Sequence, residues 1–125
     1  MTAKEVIEII EAEPIAIFNE DNLDKEYVQV FASDLMSDVL AMVQNDSEKT
    51  VLITGLCNAQ AVRTAEMLDM DIIVFVRGKE VPEDAIAVAR RAGINIFATD
   101  FSMYDTCGRL FVEGMSGIDV RSCPA

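Results

Sequence analysis

Three short apolar runs, each followed by a helix-like segment, constrain this chain more than anything else in it: Val51-Leu52-Ile53-Thr54-Gly55, Ile72-Ile73-Val74-Phe75-Val76-Arg77-Gly78 and Ile94-Asn95-Ile96-Phe97-Ala98-Thr99-Asp100. Runs this short and this β-branched read as strands buried on both faces, which requires helices above and below them. The fold class that follows is α/β: a single-domain layered sheet, mostly parallel, with helices on both faces. Each run ends in small or polar residues, and open sheets of this kind bind ligands at the carboxyl edge of the strands.

The segments between the runs agree. Thr2 and Glu5 have capping-box spacing and open an amphipathic helix to about Ala12, with Val6, Ile9 and Ile10 inward; Pro14 stops it. Residues 15–18 read as a short strand, 19–25 as an acidic turn and 27–32 as a strand with Val28, Val30 and Ala32 on one side. Ser33 or Asp34 caps the next helix, whose stripe is Leu35, Met36, Val39, Leu40 and Val43. Asn58 caps a helix carrying Ala61, Val62, Ala65 and Leu68. Pro82 opens one carrying Ala85, Val88, Ala89 and Ala92, closed by Gly93. A last helix runs from Ser102 to about Glu113, and its pattern puts Met103, Cys107, Leu110 and Phe111 on one inner stripe. The tail from 114 to 125 has no periodicity that places it.

A chain of 125 residues suits one core, so 1–125 is read as one domain. The net charge of −12 repels phosphate backbones and anionic lipid heads, which speaks against nucleic acid and membrane surfaces as partners. Glu5, Glu8, Glu11 and Glu13 interrupt the first residues, unlike a signal peptide, and the expected location is cytoplasmic. Cys57, Cys107 and Cys123 are scattered and no histidine accompanies them, so no metal and no cofactor is expected. Cys107 reads as core and Cys123 as exposed. Cys57 precedes a helix start, where the helix dipole lowers a thiol pKa.

Four strand ends gather the candidate ligand-binding residues: Asp34; Thr54, Gly55 and Asn58; Arg77 and Gly78; Thr99 and Asp100. Arg77 and Lys79 add positive charge to an acidic chain, and helix N-termini supply free N–H groups, which together suit a small anionic ligand such as a nucleotide. There is no histidine for acid–base work at neutral pH, no nucleophile elbow and no phosphate-loop motif, so no catalytic residue is assigned. A carboxylate pair of Asp34 and Asp100 is the basis of one alternative, a small enzyme.

Leu52-Ile53-Thr54-Gly55, the helix start Asn58-Ala59-Gln60-Ala61-Val62 and the run from Ile72 to Gly78 resemble the DRTGG domain family. Pro82-Glu83, Gly93-Ile94, and Thr99-Asp100 with Tyr104 extend the resemblance over 27–111. Leu56-Cys57-Asn58 stands where the family has its Asp-Arg pair, and Val76-Arg77-Gly78 stands for Thr-Gly-Gly. The resemblance implies a non-catalytic regulatory or ligand-sensing module that forms homodimers. Ser33-Asp34-Leu35-Met36-Ser37 is similar to stand-alone members found near iron-only hydrogenase and serine-kinase genes. That likeness implies a hydrogenase or kinase partner protein. A further alternative is therefore an assembly or accessory protein, for a hydrogenase or an acetyl-phosphate enzyme, that needs no ligand pocket.

Overall fold

The computed structural model describes residues 1–122. Thr2 and Glu5 form the expected reciprocal capping box at the start of α1 (Ala3–Ile9). The helix stops earlier than its periodicity suggests, because Ile10 leaves helical geometry and Glu11 turns into the left-handed region at φ +51°. Pro14 is thus not the stop but a member of β1 (Glu13–Ala16), which replaces the strand expected at 15–18. The position suits a proline, since β1 is an edge strand.

Strands and helices then alternate: β2 (Gln29–Ala32), α2 (Met36–Met42), β3 (Thr50–Thr54), α3 (Ala59–Met67), β4 (Ile72–Phe75), α4 (Glu83–Ala92), β5 (Asn95–Ala98) and α5 (Met103–Val112). The unplaced tail supplies β6 (Ser116–Gly117), a two-residue strand beside β2. Among the described residues the sheet has the order β1-β5-β4-β3-β2-β6, parallel throughout except for β1 on β5.

Side chains of the buried strands alternate between two cores. Leu52, Ile73, Phe75 and Ile96 pack under α2, α3 and α4. Val51, Ile53, Ile72, Val74, Val76 and Phe97 pack with α1 and α5 residues on the opposite face. Buried alanines, Ala61 and Ala65 on α3 and Ala85 and Ala89 on α4, let those two helices lie close. The stripe of α2 is narrower than expected: Met36, Val39 and Val43 are buried, whereas Leu35 and Leu40 face solvent because a seven-residue helix offers the core only one short ridge. Phe111 also leaves its expected stripe and is 73% exposed, while Cys107 is half-buried.

The amino edge of the sheet is tied by polar groups. Asp71 accepts from the Tyr27 hydroxyl and, at 2.5 Å, from the Lys25 ammonium. The Asn95 side chain accepts from the backbone N–H groups of Phe18 and Asn19 at 2.9 and 3.0 Å and donates to the Asn19 carbonyl. Burial, then the bond to Asp71, pushes the Tyr27 phenol far above its ordinary range, so the folded state holds it neutral. An unfolded tyrosine loses its proton near pH 10. The stabilisation is therefore complete below about pH 10 and drains away as pH rises beyond it, the unfolded state then binding fewer protons than the native one. Urea titrations at pH 8 to 11 should show this alkaline loss, and Tyr27→Phe should flatten the part that Tyr27 contributes. Asp71→Ala leaves the phenol without its acceptor and should cost about 1.5–3 kcal/mol at neutral pH.

Candidate functional site

The carboxyl ends of β2, β3, β4 and β5 bring the candidate residues to one edge. Asp34 follows β2 but is not a helix cap. The residue before α2 is Leu35, without a side-chain cap, and the Ser33 hydroxyl accepts from the Leu35 N–H at 3.1 Å. Asp34 instead reaches the neighbouring loop, where its Oδ1 accepts from the Gly55 N–H at 2.6 Å and from the Thr54 hydroxyl at 3.5 Å. Thr54 is buried, and its Oγ1 also accepts from the Leu56 N–H at 3.0 Å. These bonds replace backbone pairing that ends with the strands.

Arg77 and Gly78 form the turn after β4, both in the left-handed region at φ +69° and +64°. Their N–H groups donate to the carbonyls of Phe101 and Thr99 at 2.9 and 3.0 Å, which pins the turn to the loop after β5. That geometry turns the Arg77 side chain back over β3. Its Nη2 lies 3.4 Å from the Gly55 carbonyl oxygen and 3.9 Å from Asp34 Oδ2. The Lys79 ammonium reaches the same carbonyl at 2.5 Å. Gly55 makes the approach possible, since a Cβ there would stand 2.3 Å from Arg77 Nη2. Gly78 likewise leaves room for Asp100, whose Oδ1 would be 2.8 Å from a Cβ.

Asp34, Thr54, Gly55 and Arg77 thus form one contact group, and Gly78, Thr99 and Asp100 a second, joined by the left-handed turn. Asn58 lies at the start of α3, its Oδ1 accepting from the Ala61 N–H at 3.1 Å as the sequence suggests. Thr99 is buried and turned inward, donating to the Ile10 carbonyl at 2.7 Å and so joining the end of α1 to the sheet. A recess of 320 Å³ at this edge is lined by Gly78, Lys79, Glu80 and Asp100, with Glu13 on its far side.

Two electrostatic features stand out at the edge. Alone among the described α-helices, α3 has no acidic residue in its first turn, so its positive end is not neutralised from within. Cys57 has the opposite tendency from the one a helix start suggests: burial pushes its thiol pKa up, and the nearby Lys79 charge only partly opposes that. Cys57 packs on the α2–α4 side of the sheet and Cys107 on the α1–α5 side, so the two thiols are separated by the sheet. Cys123 lies outside the described residues.

A larger concavity, 740 Å³, lies elsewhere, between α5 and the β2–β6 edge. Val30, Ala32, Met103, Cys107, Phe111 and Met115 contribute to its wall. Reading Phe111 as core hid this groove from the sequence. The available signal was the spacing of Tyr104, Gly108 and Val112, which places two large apolar residues one turn either side of a glycine.

No family model matches the chain, and no curated protein matches it. Among solved structures, the chain is similar to the CBS and DRTGG domains of the regulatory region of a Clostridium perfringens pyrophosphatase, complexed with its activator diadenosine tetraphosphate. The TM-score is 0.66 and the identity 15%, over 87% of this chain. This chain spans 45% of the length of that structure. The likeness is one of fold: the mostly parallel, layered α/β sheet is the one the strand runs suggest, and its DRTGG-like form is what the family resemblance implies.

Stability should separate the roles at this edge. Asn58→Ala should cost roughly 0.5–2 kcal/mol through the lost cap. Gly78→Ala should cost on the order of 1–2 kcal/mol because an L-residue is strained at its φ, whereas a Cβ at Gly55 meets the ends of two side chains, Arg77 and Asp34, which can shift, and Gly55→Ala should cost less. Chemical denaturation of the three variants checks the order.

Proposed function

We propose that this chain is a non-catalytic, self-associating regulatory module that binds a small anionic ligand, a nucleotide or related phosphate, at the carboxyl edge of its sheet. The observation that carries this reading is the placement of Arg77 and Lys79. Both cations converge on one neutral acceptor, the Gly55 carbonyl, beside the acid-free start of α3. A guanidinium has five donors and an ammonium three, so most of their hydrogen-bonding capacity is left for a phosphate or carboxylate. Arg77 holds a left-handed backbone conformation that costs a non-glycine residue about 1–2 kcal/mol, as Glu11, Asp46 and Asp69 do; at Arg77 it serves to turn the guanidinium back over the Gly55 carbonyl.

The structural neighbour supports the same reading, being part of a regulatory region whose activator is a dinucleotide polyphosphate. Asp34, Thr54, Gly55, Asn58, Gly78, Thr99 and Asp100 then have a supporting part: they hold the loops that present Arg77 and Lys79. The commitment of Asp34 to the Gly55 N–H favours that role over acid–base chemistry. Self-association is supported by exposed apolar side chains on α5, Tyr104, Phe111 and Val112.

Thermal-shift screening with nucleoside mono-, di- and polyphosphates, inorganic phosphate and dicarboxylates tests the ligand. At a hundred times Kd, binding to the native state alone adds about 2.7 kcal/mol, a Tm rise on the order of 10 °C for a chain of this size. Arg77→Ala and Lys79→Ala should each weaken the ligand found, by calorimetry, while leaving the unliganded Tm nearly unchanged. Affinity indifferent to both substitutions, or no shift from any of these anions at millimolar concentration, removes the anion site.

A further inference from the structure

Strands β2 to β5 send all three of their connecting helices to one face of the sheet, so that face carries three helices and the other only α1 and α5. The place a third helix would take on the second face is the 740 Å³ groove beside α5, floored by Val30 and Ala32 of β2. No charged residue lines it, in a chain of which 26% is charged. On the solvent side of the same helix, Tyr104 and Val112 are 85% and 81% exposed, one turn before and one turn after Gly108.

We propose that the groove of each chain receives α5 of a second copy, so that two α5 helices pack antiparallel about a two-fold axis near Gly108. This rests on the self-association put forward above and names its surface. Groove and helix belong to one patch, and a two-fold axis lets each copy supply both, which is what a self-complementary interface requires. Gly108 is the contact point. A Cβ there would meet nothing within 4 Å in the single chain, and the residue lies inside a helix where glycine is disfavoured relative to alanine. What it allows is the close approach of another helix.

Surface chemistry and area also select a second copy. No charged residue lines the groove, so two chains of net charge −12 can meet there without adding like charges at close range. Covering aromatic side chains buries about 150–250 Å² each, so Tyr104 and Phe111 from two copies contribute on the order of 600–1,000 Å². A stable interface needs about 1,200 Å² or more in total, and the groove floor supplies the remainder.

Sedimentation velocity of the full chain from 1 to 100 µM, with circular dichroism as the folding control, decides the matter. The unsubstituted chain should sediment as a dimer. Phe111→Lys and Gly108→Arg should each raise the dissociation constant at least 10-fold with unchanged dichroism, both positions being open to solvent in the single chain. Met67→Lys, at an exposed apolar site on α3, should leave the dimer intact. A dimer that survives both α5 substitutions in folded protein, or one that Met67→Lys dissociates, overturns the α5 interface while self-association stands. A monomer at every concentration overturns both. Extra mass from an apolar small molecule on a monomer, by native mass spectrometry, gives the groove a different occupant and overturns the interface as well.

Discussion

Both faces of the sheet must be covered, and the chain can cover them in only one way given the order in which its strands add. From β2 to β5 each strand joins the same side of the last. With right-handed crossovers, every connecting helix then falls on one face. The opposite face cannot be reached by those connections and depends on α1, which precedes the parallel strands, and α5, which follows them. Val51, Ile53, Val74 and Phe97 are out of water because α1, α5 and Tyr27 close over them. The bonds that hold those covering segments are accordingly long-range: Thr99 to the end of α1, Asp71 to Tyr27, Asn95 to the chain at Phe18 and Asn19.

The carboxyl edge follows from the same winding. Parallel strands all end on one side, so the loops after β2, β3, β4 and β5 meet there without further instruction. What distinguishes this chain is how they are joined. A carboxylate from the first loop holds a backbone N–H of the second, and two cations from the third hold the carbonyl of the same residue. Gly55 is thus gripped at both its donor and its acceptor, and the absence of a side chain is what lets Arg77 and Asp34 come so near. The arrangement fixes the loops while keeping positive charge at the surface of an acidic protein.

The β-branched runs at 51–55 and 72–76 were legible as strands because burial on both faces leaves a purely local mark in composition. Caps at Thr2, Asn58 and Gly93, and the helix start near Ser102, were legible for the same reason, each being settled within a few residues. What escaped were features decided at a distance. Asp34 has the position of a cap, yet its partner is 21 residues away at Gly55. Pro14 has the look of a stop, yet its strand is made by pairing with residues near Phe97. Ser116 and Gly117 carry no strand propensity and become a strand only because β2 lies open beside them. At Phe111 the inner and outer faces of α5 are both apolar, so periodicity alone could not tell core from surface.

Those two borders of the sheet have a consequence for how the protein behaves in a crowded solution. Unpaired strand borders invite other chains to continue the hydrogen-bonded ladder, the first step toward aggregates. Here one border is a four-residue strand with Pro14, which lacks an N–H, and with Glu13 exposed; the other is two residues long and ends at Gly117. Neither offers a useful template for ladder growth. An aliphatic, strand-rich interior is thereby kept from propagating outward, and encounters between molecules are left to the helical surfaces, where contacts are finite and can be reversed.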